Sequence, residues 1–293
     1  MLSSTVTASA ALLDHLFCLW PEVKRTKMRQ WLRFGAVHVN DRPVTRHDHP
    51  LQPGDVITIR PRKAPPQVAP LPAGLHLLHE DESILVILKP AGLLTVATDT
   101  ERQRTAFRFL TDHLRERTGD ARARLWIVHR LDRDTSGLIV LARTEEAKLA
   151  LQESWDLAEK QYQAVVEGAL EQKQGTLRGH LDESQPHRVY AAARPGPSTR
   201  EAITHYRVVR EGYGRSLLDI TLETGRRHQI RVQLAAAGHP IVGDVTYGGK
   251  PASSTRRLAL HATALRFQHP ATGREMCFQS PLPEDLARLV PGR

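Results

Sequence analysis

His129-Arg130-Leu131-Asp132-Arg133-Asp134-Thr135-Ser136-Gly137 leads directly into Leu138-Ile139-Val140-Leu141-Ala142, a continuous apolar run. A short run with no polar face reads as a buried strand. Ser83 to Leu88 (SILVIL), ended by Lys89-Pro90, reads the same way. Between the two, Thr105 to Arg117 is predicted helical, and Glu145 to Trp155 is a second helix candidate. Tyr162 to Gly168 alternates like a strand, as do Ile203 to Val209 and Ser216 to Leu222. The pattern predicts an α+β domain, a sheet with a few covering helices. The polar cluster stands just before a strand, where a rigid sheet can present reactive groups. Asp132 and Asp134, set among arginines and a histidine, suit such a site; they equally suit a turn held by ion pairs and Asx bonds.

A second polar cluster, Thr224-Gly225-Arg226-Arg227-His228-Gln229-Ile230-Arg231, follows a strand and opens a predicted helix with an apolar stripe of Ile230, Leu234 and Ala237, stopped by Gly238. Arg227 and Arg231 are expected one turn apart on it, so one or both can meet an acid or phosphate near the helix start. The glycines of GHPIVGDVTYGG do not spell a phosphate-binding loop, because Lys250 follows Gly249 and precedes Pro251. No GxSxG, HExxH or GxGxxG is present, and His47 and His49 are the one histidine pair near a metal spacing. No metal or cofactor is expected.

The 293 residues carry 41 Lys and Arg against 32 Asp and Glu, a formal charge of +9, which favours a polyanionic partner, nucleic acid first. Ten of the basic residues against four acids fall between Pro21 and Lys63, so one segment holds +6 of that excess. Within it, Glu22 to Phe34 is predicted helical and ends at Gly35, burying Met28, Trp31 and Leu32. Arg25, Arg29 and Arg33 recur every four residues, with Lys24 and Lys27 beside them; stacked like charges repel unless an anion such as phosphate neutralises them. Val37 to Asp41 and Val56 to Ile59 read as short strands, with LQPGD as a turn between them. The proline-rich stretch Ala64 to Gly74 reads as an extended linker. Two domains are therefore expected, 9–63 and 75–293, joined by 64–74. Cys18 and Cys277 form no CxxC pair, which suits a reducing cytoplasm, and no apolar stretch approaches the roughly 18 to 20 residues that span a bilayer.

Three stretches in order, HRLDRDTSGLIVLART, KQYQAVVEG and LETGRRHQIRVQLAAAGHPIVGDVTYGG, closely resemble the signature regions of the RluA-type pseudouridine synthases, as do AGLL after Lys89-Pro90 and RLALHA from Arg257. The resemblance runs from about Leu75 to Pro283. It implies a pseudouridine synthase fold with a largely antiparallel mixed sheet, and an isomerase acting on uridine in RNA without a cofactor. By the same resemblance, Asp132 matches the catalytic aspartate, Tyr162 the active-site tyrosine, and Arg231 the basic residue that pairs with the aspartate. Arg130 matches a residue proposed to fill the space left by the flipped base. Asp134 falls at a variable position, and Gln233 stands where many members carry histidine.

Ahead of that region, the basic helix followed by GAVHVND and LQPGDVITI, from about Ser9 to Arg60, resembles the S-four type of RNA-binding domain. That resemblance implies RNA contact through Lys24, Arg25, Lys27, Arg29 and Arg33. The combined layout resembles the large-subunit ribosomal RNA branch of the family. A transfer-RNA-directed synthase and a non-catalytic RNA-binding protein are the alternatives; no protein partner is evident.

Overall fold

The computed structural model describes residues 2–33, 35–60, 70–185, 188–251, 255 and 257–291. They fall into two compact units, Met1–Val68 and Ala69–Arg293. Most of the expected linker, through residue 69, lies outside the described residues. Its described end is not an extended spacer: Leu71 packs on the core of the second unit, and Leu75 N donates to Pro72 O at 3.0 Å.

The first unit has an antiparallel sheet in the order Leu2–Thr5, Val56–Ile59, Val37–Val39, Arg42–Pro43. Two helices, Leu12–Leu19 and Arg25–Arg33, place Leu12, Leu16, Met28 and Leu32 against Val37, Val39, Ile57 and Ile59. The second helix starts at Arg25 rather than Glu22, because Val23 N is committed to a turn with Trp20 O, and Lys24 O is the first acceptor of the helix. The strand expected to reach Asp41 stops at Val39. Asn40 and Asp41 take φ of 50° and 65°, the backbone of a tight two-residue hairpin, where these residue types are tolerated.

The second unit is built on an 11-stranded sheet. Its main path runs Tyr190–Ala192, Gln174–Asp182, Thr199–Gly212, Arg215–Leu222, Glu159–Glu167, Leu260–Gln268, Ser136–Ala142, Ile84–Lys89, His76–Glu80. Every pairing is antiparallel except that of Ser136–Ala142 with Leu260–Gln268, which makes the sheet mixed but largely antiparallel. Ser136–Ala142 is buried at all seven positions because both faces are covered. Ile139 and Leu141 meet Leu110 and Leu114 of the helix Ala106–Thr118, whereas Leu138 and Val140 meet Ala147 and Leu151 of the helix Glu145–Glu153. Double coverage is why this stretch carries no polar alternation. Both helices start at a threonine that caps them, Thr105 accepting from Arg108 N and Thr144 from Ala147 N.

Gly137 is where this strand touches its parallel neighbour. At φ +125°, a Cβ there would stand 2.5 Å from the amide nitrogen of Ala262 and 2.7 Å from its Cα. Gly137→Ala is therefore expected to lower stability by at least about 2 kcal/mol, through backbone strain and separation of the two strands. Urea denaturation checks it; unchanged stability would mean that the strands do not approach as described.

Candidate active site

The loop 129–135 leads into the parallel junction at Ser136, and the helix Gln229–Ala236 meets the loop through Arg231. Two side chains hold this loop, one at its start and one beyond Asp132. His129 stacks on Trp155 with ring centroids 4.5 Å apart, and its Nε2 accepts from Val140 N at 3.1 Å. Burial, helped by the Lys160 charge, pushes the His129 imidazole down to about 3, so it is neutral and free to accept that bond. Lys89, wholly buried at the end of its strand, donates from Nζ to Pro90 O (2.9 Å), Leu93 O (2.7 Å) and Arg133 O (3.0 Å). Burial pushes its ammonium down to about 7, against the opposing pull of Asp134 and then Asp132. The sequence marked Lys89 only as the end of a strand.

The loop turns Asp132 toward the helix. Arg231 Nη1 donates to Asp132 Oδ2 at 3.0 Å, while its Nε and Nη2 form a fork on Asp244 at 2.7 and 2.9 Å. Asp244 is buried to 1% side-chain exposure, whereas Asp132 keeps 21%. Burial works against the Arg231 charge, but the bonds and charge of Asp244, then those of Asp132, outweigh it and raise its pKa. The guanidinium also lies over the Tyr247 ring, 5.1 Å from its centroid. The Tyr247 hydroxyl accepts from Val189 N at 3.0 Å and pairs with His228 Nδ1 at 2.8 Å. His228 Nε2 stands 3.7 Å from Asp132 Oδ1, and burial lowers its pKa despite that carboxylate. His228 holds φ 55° as the residue ahead of the helix, a left-handed backbone unusual outside glycine.

The two arginines expected on one helix face therefore part company. The helix opens at Gln229, so Arg227 lies in the loop before it and does not share the face of Arg231. Its Nη2 bonds Glu183 O (3.2 Å) and Gln185 O (2.5 Å). Ala237 is also off the expected apolar stripe: it is exposed past the last turn, while Ile230 and Leu234 are buried. Gln233 is turned away from Asp132. Its amide accepts from Thr204 Oγ1 (2.7 Å) and donates to Leu177 O (3.0 Å) and Ala202 O (2.9 Å), stitching the helix to two strands. At this position the departure from histidine serves packing of the helix on the sheet.

Asp132 lies where two cavities adjoin. One, of about 70 Å³, is closed by Tyr162, Ile230 and Leu260; the other, of about 420 Å³, extends past Leu94 to Thr98 and Thr246. Arg130, Leu131, His228 and Arg231 border both. Tyr162 is partly buried, and burial, then the Asp132 charge, raises its phenol above its usual range, leaving it protonated at neutral pH. Arg130 is exposed, and among the described residues no hydrogen bond or ion pair holds it. Asp134 is exposed on the same loop, with Thr135 buried behind it. A larger cavity, about 600 Å³, includes neither Asp132 nor Arg231, and its Asp219 is already bonded to Gln163 and Arg207.

In the first unit, Lys24, Arg25, Lys27 and Arg29 are all exposed. Arg33 is the last residue of the helix, and its side chain lies outside what is described. Arg25 and Arg29 both lie over the Phe17 ring, 4.9 and 5.7 Å from its centroid. One aromatic face thus offsets part of their mutual repulsion, which the charge spacing alone did not reveal.

With this fold and this carboxylate–guanidinium centre, comparison with known proteins is decisive on class. Residues 83–236 match the family described as RNA pseudouridylate synthase, and the chain belongs to that family, whose members are isomerases that convert uridine to pseudouridine in RNA. Among curated relatives, the ribosomal large subunit pseudouridine synthase D of Xanthomonas campestris pv. campestris is 37% identical, over 93% of this chain and 85% of its own length. The enzyme of the same name from Yersinia pestis is 34% identical over 99% of this chain and 93% of its own. The uncharacterized RNA pseudouridine synthase YlyB of Bacillus subtilis is 34% identical, over 91% of this chain and 88% of its own. In fold, the chain is similar to human RNA pseudouridylate synthase domain containing 4, with a TM-score of 0.61 at 24% identity, covering 72% of this chain and 91% of that one.

Arg231→Ala would leave the Asp244 carboxylate buried without its cation, so a loss of about 3 to 5 kcal/mol in folding stability is expected. Chemical denaturation at pH 7 measures it. A variant as stable as the parent would show that Asp244 has another counter-charge.

Proposed function

We propose that the chain isomerises specific uridines in structured RNA, ribosomal RNA of the large subunit in particular, with Asp132 as the reacting carboxylate. The observation that carries this is the position of Asp132: one oxygen is bonded to Arg231 at 3.0 Å, and the residue borders both cavities. The names of the relatives at 33 to 37% identity favour the ribosomal substrate over transfer RNA.

Pseudouridine formation breaks the N1 glycosidic bond, turns the uracil, rejoins it to the ribose through C5 and removes the C5 proton. A carboxylate placed against the ribose or the base supplies the reacting group for this sequence. Arg231 stabilises its charge and orients it. Tyr162 offers a ring face to the base; its phenol, protonated at neutral pH, can take the C5 proton only by passing its own to a neighbouring base. The uridine must leave its stack first, at a cost of a few kcal/mol, least in loops and bulges. Arg130, exposed and unpaired, is placed in this reading to occupy the vacated space.

The first unit is read as an S-four-like RNA-binding domain whose exposed Lys24, Arg25, Lys27 and Arg29, with Arg33, meet phosphates. The cytoplasm is the compartment that fits this substrate, and among the described residues no helix is long and apolar enough to cross a membrane.

Asp132→Asn is expected to abolish pseudouridine formation while RNA affinity and folding stay near those of the parent, and Asp134→Asn to keep substantial turnover. Mapping pseudouridine in total RNA from cells carrying each variant measures this and names the RNA. An active Asp132→Asn enzyme would sink the assignment, and a transfer RNA as the one changed species would redirect the substrate.

Replacing Arg25, Arg29 and Arg33 together is expected to weaken RNA binding. Each lost phosphate contact should lower the slope of log K against log salt by up to about one. Turnover at saturating RNA should change little. Titrations across salt concentrations decide it, since an unchanged slope would place the stripe away from RNA.

A further inference from the structure

Arg231 holds one oxygen of Asp132 from the front; what fixes the backbone behind that carboxylate is a separate matter. Thr95 lies in the segment after the Ile84–Lys89 strand and is 3% exposed. Its own carbonyl accepts from Phe107 N at 3.1 Å, and that of Leu94 accepts from Ala106 N at 2.8 Å. The segment is thereby tied to the first turn of the helix Ala106–Thr118, where backbone amides lack partners within the helix. From this anchored position Thr95 Oγ1 donates to Leu131 O at 2.7 Å and accepts from Leu131 N at 3.2 Å. One hydroxyl thus satisfies both backbone polar groups of the residue immediately before Asp132.

A hydroxyl can donate one proton and accept on its lone pairs, so this reciprocal pair uses it in both senses. The two contacts fix the peptide planes on both sides of Leu131, including the one that leads into Asp132. On the far side, Arg133 O is held by Lys89. Displacement of a reacting group by about 1 Å can cost a hundredfold in rate. A buried hydroxyl spent wholly on the neighbour of that group is therefore placed to influence turnover through the backbone.

We infer that Thr95 is a positioning residue for Asp132, setting the backbone from which the carboxylate is presented. The inference rests on the reading of Asp132 as the reacting group. Thr95→Val keeps the shape and removes the hydroxyl, while Thr95→Ser keeps the hydroxyl. For Thr95→Val, kcat is expected to fall about 10- to 100-fold, with KM and the dissociation constant for the RNA close to the parent's. Amide hydrogen exchange should quicken at residues 130–134 and stay unchanged in the helix Ala106–Thr118 and the rest of the second unit. Thr95→Ser should recover most of the rate.

A Thr95→Val enzyme with the parent's kcat overturns the inference. So does a slow variant whose exchange rises throughout the unit, since that is plain loss of stability, and so does a serine variant as slow as the valine one. Asp132→Asn assayed alongside separates the two levels. If it is inactive while Thr95→Val is fully active, only the positioning role falls; if it is active, the reading of the site falls and the inference falls with it.

Discussion

The shared guanidinium of Arg231 is the interaction on which the geometry of this site depends. A charge at 11% side-chain exposure is costly to desolvate, and it persists only where carboxylates meet it in good geometry. Asp244 supplies that geometry as a two-bond fork from a position almost sealed from solvent. The remaining Nη1 is left for Asp132, which receives one bond on Oδ2 and has His228 Nε2 3.7 Å from Oδ1. The division of labour follows from exposure. The buried carboxylate is spent on holding the arginine, and the more accessible one, oriented by a single bond, is the one proposed to do the chemistry.

That centre requires segments far apart in sequence to converge. Strand Ser136–Ala142 is the hub: it pairs antiparallel with Ile84–Lys89 and parallel with Leu260–Gln268, and the junction closes because Gly137 lets Ala262 approach. The end of the first neighbour delivers Lys89 and Thr95 behind the loop. From the other side, Gln229 anchors the helix by donating to Ile203 O and Thr204 Oγ1 and accepting from Thr224 Oγ1 and Arg226 N. A buried amide satisfied on all sides fixes that helix more tightly than apolar packing alone, and Arg231 is carried two residues further along.

How much of this was readable beforehand divides along the range of the interactions involved. Local pattern suffices for Ser136–Ala142 and Ile84–Lys89, whose apolar continuity follows from burial on both faces. It suffices as well for the helix stop at Gly238, where φ of 86° suits glycine. The strand Gln174–Asp182 escaped notice because QGTLRGHLD carries two glycines and several polar residues, and its pairing with Thr199–Gly212 comes from tertiary context. Asp132 and Arg231 were legible as members of dense polar motifs. His228, Tyr247 and Asp244 were quoted within those motifs without a role, because each acquires one only through a contact across the fold. Thr95 and Lys89 were still less visible. Their partners are backbone atoms, and backbone atoms leave no residue-type signature in the sequence.

In the proposed reading, the charge distribution separates binding from chemistry in energetic terms. The segment from Pro21 to Lys63 carries +6 of the chain's +9; around Asp132, Arg231 meets two carboxylates and His228 is held towards its neutral form, while Arg130, Arg226 and Arg227 also border the cavities. Phosphate contacts act alike on the ground state and the transition state, so they set affinity and leave the barrier to others. In that reading the first unit supplies the phosphate-binding charge, and Asp132 keeps one short directed bond, from Arg231. With Asp132 as the proposed reacting group, the barrier is governed by the backbone that presents the carboxylate and by the guanidinium of Arg231 that faces it.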